Sequence, residues 1–149
     1  MSTGMRRRLH LTPLAIVRGA CTARERLLRD SDTGSFGVGM TQAVQGAVVG
    51  LDSPREGIDA VYSDINGERY RSEEWGFVAL RTPSVWKRSG YKAASDSWGD
   101  VGAASGVLGA ILAVQAFARG YTQGPRALVM AGSDSGLRGA MLLQAPQKS

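Results

Sequence analysis

Val101–Ala118 reads VGAASGVLGAILAVQAFA, with Ser105 and Gln115 its only polar side chains over about five helical turns. A helix lying on one side of a sheet shows water a polar stripe, and a helix that is apolar all round has to be covered all round. Gly102, Ala103, Ala104, Gly106, Gly109 and Ala110 would let another backbone come close, at about 1 kcal/mol for each interior glycine relative to alanine. One layer of sheet and helices in a chain of 149 residues covers one flank of such a helix. The stretch therefore predicts a second body on the other flank, with those small residues as its contact.

Outward from this helix the chain alternates. Gly120 and Pro125 end it, as expected after a helix C-terminus. Residues 126–132 and 136–144 are apolar runs that read as two strands joined through Ser133-Asp134-Ser135. Upstream, Leu14–Thr22 follows Pro13 as a first strand, a Gly/Ser/Asp-rich loop occupies 29–39, and Met40, Ala43, Val44, Ala47 and Val48 recur at helical spacing. Residues 57–64 predict a second strand, Ser72 an N-cap with Glu73 and Glu74 in the first turn, and Lys92–Ser95 a brief third strand. The order is β-α-β-α-β-α-β-β. It implies an α/β fold with a mostly parallel sheet and right-handed crossovers, to which the last hairpin adds an antiparallel edge. The boundaries so read are a basic arm over 1–12, one domain over 13–145 and a tail over 146–149.

Composition narrows the function classes. Hydrophobic residues at 43% and charged residues at 21% fit an ordinary soluble domain, and no apolar run approaches a membrane span. Three arginines near the N-terminus imitate a signal peptide, but His10, Thr12 and Pro13 interrupt the apolar run behind them. One cysteine, Cys21, forms no internal disulfide, and one histidine, His10, makes no cluster of soft metal ligands. The expectation is a cytoplasmic protein with no cofactor, no metal and no membrane partner. The net charge of +5 is spread along the chain apart from Arg6-Arg7-Arg8, and no aromatic platform accompanies that run. It reads as a solvated arm, and nucleic acid is not the expected partner. SFGVG and AGSDSG lack the spacing of a phosphate or dinucleotide loop and read as turns.

Three local patterns carry a resemblance. WGDVGAAS (98–105) resembles the GNTSAAS loop of the ketosynthases that initiate fatty-acid synthesis, with Gly99, Ala103, Ala104 and Ser105 in step. IDAVYSD (58–64) is similar to the strand that delivers a catalytic His in that family, and GLRGAMLL (136–143) to its closing strand, with Gly139 in step. Together with the element order, they make the chain after residue 12 resemble the C-terminal half of the thiolase and β-ketoacyl synthase fold. The resemblance implies a thiolase-like half-domain whose third helix is sandwiched between the sheets of two halves, the other half being an N-terminal half-domain chain or a homologous thiolase-like subunit.

On that resemblance Asp64 stands at the place of the catalytic His, and Asp100 at that of the catalytic Asn or second His. Decarboxylative condensation needs neutral hydrogen-bond donors for its developing negative charge, and an ionised Asp accepts bonds and repels that charge. The family's nucleophilic Cys belongs to the other half, and Cys21 reads as a small buried hydrophobe. Asp64 and Asp100 either form a new acid–base pair or serve the structure, capping a helix or pairing with an arginine. Tyr70, Trp75 and Trp86, set among Arg69, Arg71 and acidic residues, have the composition of either a solvated loop or an interface core.

SDINGERYRSEEWGF (63–77) also resembles thiolase-like proteins of type VI secretion loci, which implies an accessory role in effector loading with a secretion effector or spike protein as partner. The function expected is a catalytically degenerate adaptor. The alternative is the C-terminal half of a split β-ketoacyl synthase or acyltransferase whose nucleophilic Cys lies on a partner chain.

Overall fold

Five strands form one sheet in the order β1-β5-β4-β2-β3, in a computed structural model that describes residues 2–27, 36–88, 90–93 and 104–147. The strands are β1 (Ile16–Arg24), β2 (Ala60–Ser63), β3 (Lys92–Ala93), β4 (Arg126–Gly132) and β5 (Leu137–Gln144). β2 pairs in parallel with both β3 and β4, and β5 runs antiparallel to β4 and to β1. The antiparallel strand therefore lies inside the sheet, which corrects the expected antiparallel edge. β5 is apolar on both faces, Ala140 and Leu142 on one and Met141 and Leu143 on the other, the pattern of an interior strand. β1 returns from the start of the chain to flank it, paired from Ile16↔Gln144 to Arg24↔Leu137 with a bulge at Arg18.

The two faces of the sheet are covered unequally. On one, α2 (Val38–Ala47) and α3 (Arg69–Arg81) bring Met40, Ala43, Val44, Ala47 and Val78 onto Val61, Leu128, Met130, Ala140 and Leu142. On the other, α4 (Ser105–Arg119) brings Ala113 and Ala116 onto Tyr62, Ala127, Val129 and Leu143. Val61 and Tyr62, or Leu128 and Val129, divide between the faces as the two-residue period of a strand requires. Among the described residues two helices thus cover one face, and one covers the other, over β4 and β2.

The helix ends show which local signals act. α3 begins three residues before the expected Ser72 cap. Asn66 Oδ1 accepts from the Glu68 N–H at 3.2 Å, and this Asx turn starts the helix with Glu68 as N-cap. Ser72 is exposed inside the helix, and Glu74, expected in the first turn, is buried. α2 opens at Val38, where the buried Glu25 carboxylate accepts from the Gly39 N–H at 2.8 Å. α4 ends as expected, with Gly120 left-handed at φ 69° and the Tyr121 N–H bonded to the Ala116 carbonyl. In the basic arm, Thr3–Arg8 is a short helix, α1, capped by Ser2. The Val101–Ala103 start expected for α4, residues 94 and 95 of the third strand, and Asp100 lie outside the described residues.

Candidate functional site

β2 and β4 are parallel neighbours, so their C-terminal ends lie side by side and bring Asp64 to Gly132. Asp64 Oδ2 accepts from the Gly132 N–H at 2.7 Å and from Arg71 Nη1 at 2.6 Å. Arg71 reaches on to Asp134 at 3.4 Å and Glu68 at 3.5 Å, and the Tyr70 hydroxyl donates to Asp134 at 3.2 Å. Burial works against the Arg71 charge, but Asp64, Tyr70 and Asp134 outweigh it, and the guanidinium titrates above its ordinary value. Of the two structural readings of Asp64, arginine pairing is the one seen. Its carboxylate ties the end of β2, the end of β4 and the first turn of α3 together.

A second pair lies beside it. Arg138 Nε stands 3.0 Å from both oxygens of Glu74, with both residues buried, and Arg138 Nη1 also donates to the Ser133 carbonyl at 2.8 Å. Burial pushes the Glu74 carboxyl above its ordinary value against the pull of Arg138, and the negative charges of Glu25 and Asp64 add to the rise. The sequence offers no pattern for this pair, because its members are 64 residues apart. Among the described residues no three His, Cys, Asp or Glu side chains are grouped to hold a metal ion.

The small residues of α4 divide between two uses. Gly109 faces inward, where an added Cβ would stand 3.0 Å from Val129 Cγ1, and at Gly106 it would stand 3.3 Å from the Ala131 Cβ. These glycines let α4 lie close on its own sheet. Ala110 is half-buried and Ala104 exposed, whereas Gly102 and Ala103 lie outside the described residues. The outward stripe of α4 carries Val107, 65% exposed, and Ile111, 48% exposed. Beside α4, over β1 and β5, the described residues leave the same sheet face bare: a groove of about 380 Å³ is lined by Ala20, Thr22, Gly106, Ala131, Gly139 and Met141. The sequence reading did not single out Val107, Ile111 or this face of β1. The available signal was the strand IVRGACTAR, whose central residues, Gly19 to Ala23, are small on both sides.

Trp75 and Trp86 do not join this surface. They meet edge to face at 5.1 Å, with Tyr91 next at 6.0 Å, and they pack on the core beneath α2 and α3 on the opposite side of the sheet. Tyr70 sits at the strand ends with Asp134.

No family model and no curated protein sequence matches the chain. Solved structures do. Human mitochondrial 3-ketoacyl-CoA thiolase is 19% identical with a TM-score of 0.60. A ketosynthase domain from oxazolomycin synthesis in Streptomyces albus is 13% identical at 0.73, and ketosynthase twelve of the bacillaene polyketide synthase of Bacillus amyloliquefaciens 12% at 0.74. The fold is thiolase-like. The matches cover 97%, 96% and 98% of this chain but 34%, 48% and 33% of those chains, so this thiolase-like chain spans between a third and a half of each. The matches span nearly the whole of this chain, and the fold is the one that the resemblance led one to expect.

Proposed function

We propose that this thiolase-like chain is a non-catalytic interaction subunit, one half of a fold completed by a second thiolase-like half. The observation that carries the reading is the apolar stripe of α4 beside half of its sheet face, which the described residues leave uncovered. Fully burying a side chain such as Val107 or Ile111 contributes about 1.5–3 kcal/mol, and a second half lying on this face would bury both. Asp64 supports the non-catalytic part: at the position where the resemblance places a hydrogen-bond donor, its carboxylate accepts from Arg71 and Gly132. The setting, argued from the resemblance of residues 63–77, is an accessory role in loading or delivering type VI secretion effectors, with an effector or spike protein as the client.

Two measurements test the reading. Hydrogen exchange should show the amides of Ser105–Arg119 exchanging faster than those of β4 in the dilute chain and slowing when a second half is bound. Intact-mass analysis of that complex after incubation with acetyl- and malonyl-coenzyme A should show no acyl adduct. A covalent acyl intermediate on either chain would establish acyl transfer and remove the non-catalytic assignment.

A further inference from the structure

Resting on the reading of the chain as half a fold, we infer that the bare face is filled by a second copy of this chain in a two-fold dimer. An isologous contact needs one patch that is complementary to itself, and this patch is. The outward stripe of α4 supplies large side chains, Val107 and Ile111, and the adjoining groove supplies small ones, Ala20, Gly106, Ala131 and Gly139. Gly106 of α4 lines the groove, so a helix laid in the groove runs alongside α4. A two-fold axis then places each copy's α4 in the groove of the other, in two symmetric contacts, each up to about 22 Å long for a helix of fifteen residues.

Charge permits the same arrangement. The chain carries +5, and a like-with-like contact centred on arginines would face its own charge. Among the described residues, the stripe and the groove lining contain no carboxylate, lysine or arginine. The bulge residue Arg18 at the rim of β1 is bound instead to Glu56, at 3.2 Å, and to Gln144. The centre of the patch is thus neutral in a basic protein, the condition under which copies of it can meet.

In two α4 helices related by the axis, a residue near the helix midpoint meets its own counterpart. Ile111 lies next to that midpoint on the outward stripe. The test is sedimentation of the full chain over a wide concentration range, with mild oxidation of Ile111→Cys in a Cys21→Ala background. The expected result is a dimer, an intermolecular disulfide through the new cysteine, and weakening of the dimer by about thirtyfold or more in Ile111→Glu. Leu80→Glu, at an exposed position of α3 on the opposite face, should leave the dimer intact, and Leu80→Cys should not cross-link. A chain that stays monomeric throughout, or a dimer indifferent to Ile111→Glu, overturns the inference. If the monomer's α4 slows in exchange when an unrelated thiolase-like half is added, the half-fold reading survives without the second copy. If α4 in the lone monomer is already as protected as β4, both fail.

Discussion

Breaking the Glu74–Arg138 pair should cost a large share of the stability of this fold, and the cost should depend on pH in a defined direction. Arg138 Nε is within 3.0 Å of both Glu74 oxygens, and both side chains are buried. Removing one member of such a pair typically costs about 3–5 kcal/mol, against a total of about 5–15 kcal/mol for a domain. In Arg138→Met the abandoned carboxylate has an escape, because it can take up a proton at about 1.4 kcal/mol for each unit by which the pH exceeds its pKa. Burial already holds the Glu74 pKa above the ordinary 4.5 in the intact protein. The folded state then keeps a proton that the unfolded state has lost, so Glu74 lowers stability as pH rises through the window above 4.5. Without Arg138 that window extends higher, and the loss in Arg138→Met should be larger near pH 8 than near pH 5. Urea midpoints at unchanged m across that range measure it. The double variant Glu74→Leu/Arg138→Met leaves no buried charge and should be more stable than Arg138→Met at neutral pH, the two losses being far from additive. A neutral-pH loss below about 1 kcal/mol in Arg138→Met, or additive losses in the cycle, would refute the reasoning.

Three further outcomes follow from the same geometry. In Gly39→Ala the new Cβ would stand 2.6 Å from the Glu25 nitrogen and 2.9 Å from the Arg24 carbonyl carbon. Both are backbone atoms that cannot swing aside, so thermal unfolding should report a loss of about 1–3 kcal/mol. Asp64→Ala strips Arg71 and the Gly132 N–H of their shared acceptor, with an expected loss of about 1–3 kcal/mol in denaturant titration. Association through α4 should be unchanged in that variant, and a sedimentation experiment that showed the dimer lost would sever the proposed separation of roles. Glu56 is held down to about 2, first by the Asp52 N–H and then by the Arg18 side chain, with Arg126 adding to it. A depressed carboxyl stabilises the fold above its unfolded pKa and loses that contribution as pH falls from 4.5 toward 2. Glu56→Gln should therefore flatten the acid limb of the stability profile, the opposite sign to Glu74.

The closing hairpin was legible because its signals are local. Residues 126–132 and 136–144, read as strands from apolar runs around a Ser-Asp-Ser turn, are found as Arg126–Gly132 and Leu137–Gln144. The place of β5 was not, because the strand that flanks it, β1, arrives from more than a hundred residues away, and nothing short-range announces that pairing. The α3 boundary was misplaced because Ser72 and two glutamates imitate a helix start, whereas the Asn66 side chain sets the turn. With the helix beginning at Arg69, Arg71 falls in its first turn and within reach of Asp64, which the later start hid. In α4 the absence of a wet face was readable, but small residues cannot say which neighbour comes close. Gly109 serves the chain's own β4, and the outward stripe carries Val107 and Ile111, with Gln115 one turn on.

What each end of the sheet leaves unused separates chemistry from recognition. A site built for acid–base work presents groups to a substrate, with pKa values tuned for transfer and bonding capacity held in reserve. At the strand ends of this chain the carboxylates spend that capacity on the protein itself: Glu25 on the Gly39 N–H, Asp64 on Arg71 and Gly132, Glu74 on Arg138, and Asp134 on Tyr70. Such internal bonding fixes the positions of β2, β4, α2 and α3, and through the sheet it fixes the bed on which α4 lies. On the α4 face the described residues leave an apolar stripe, Val107 and Ile111, and the groove beside it uncovered. Rigid polar ends that hold an uncovered apolar face in shape are what recognition requires, since a preorganised surface binds without the cost of ordering itself.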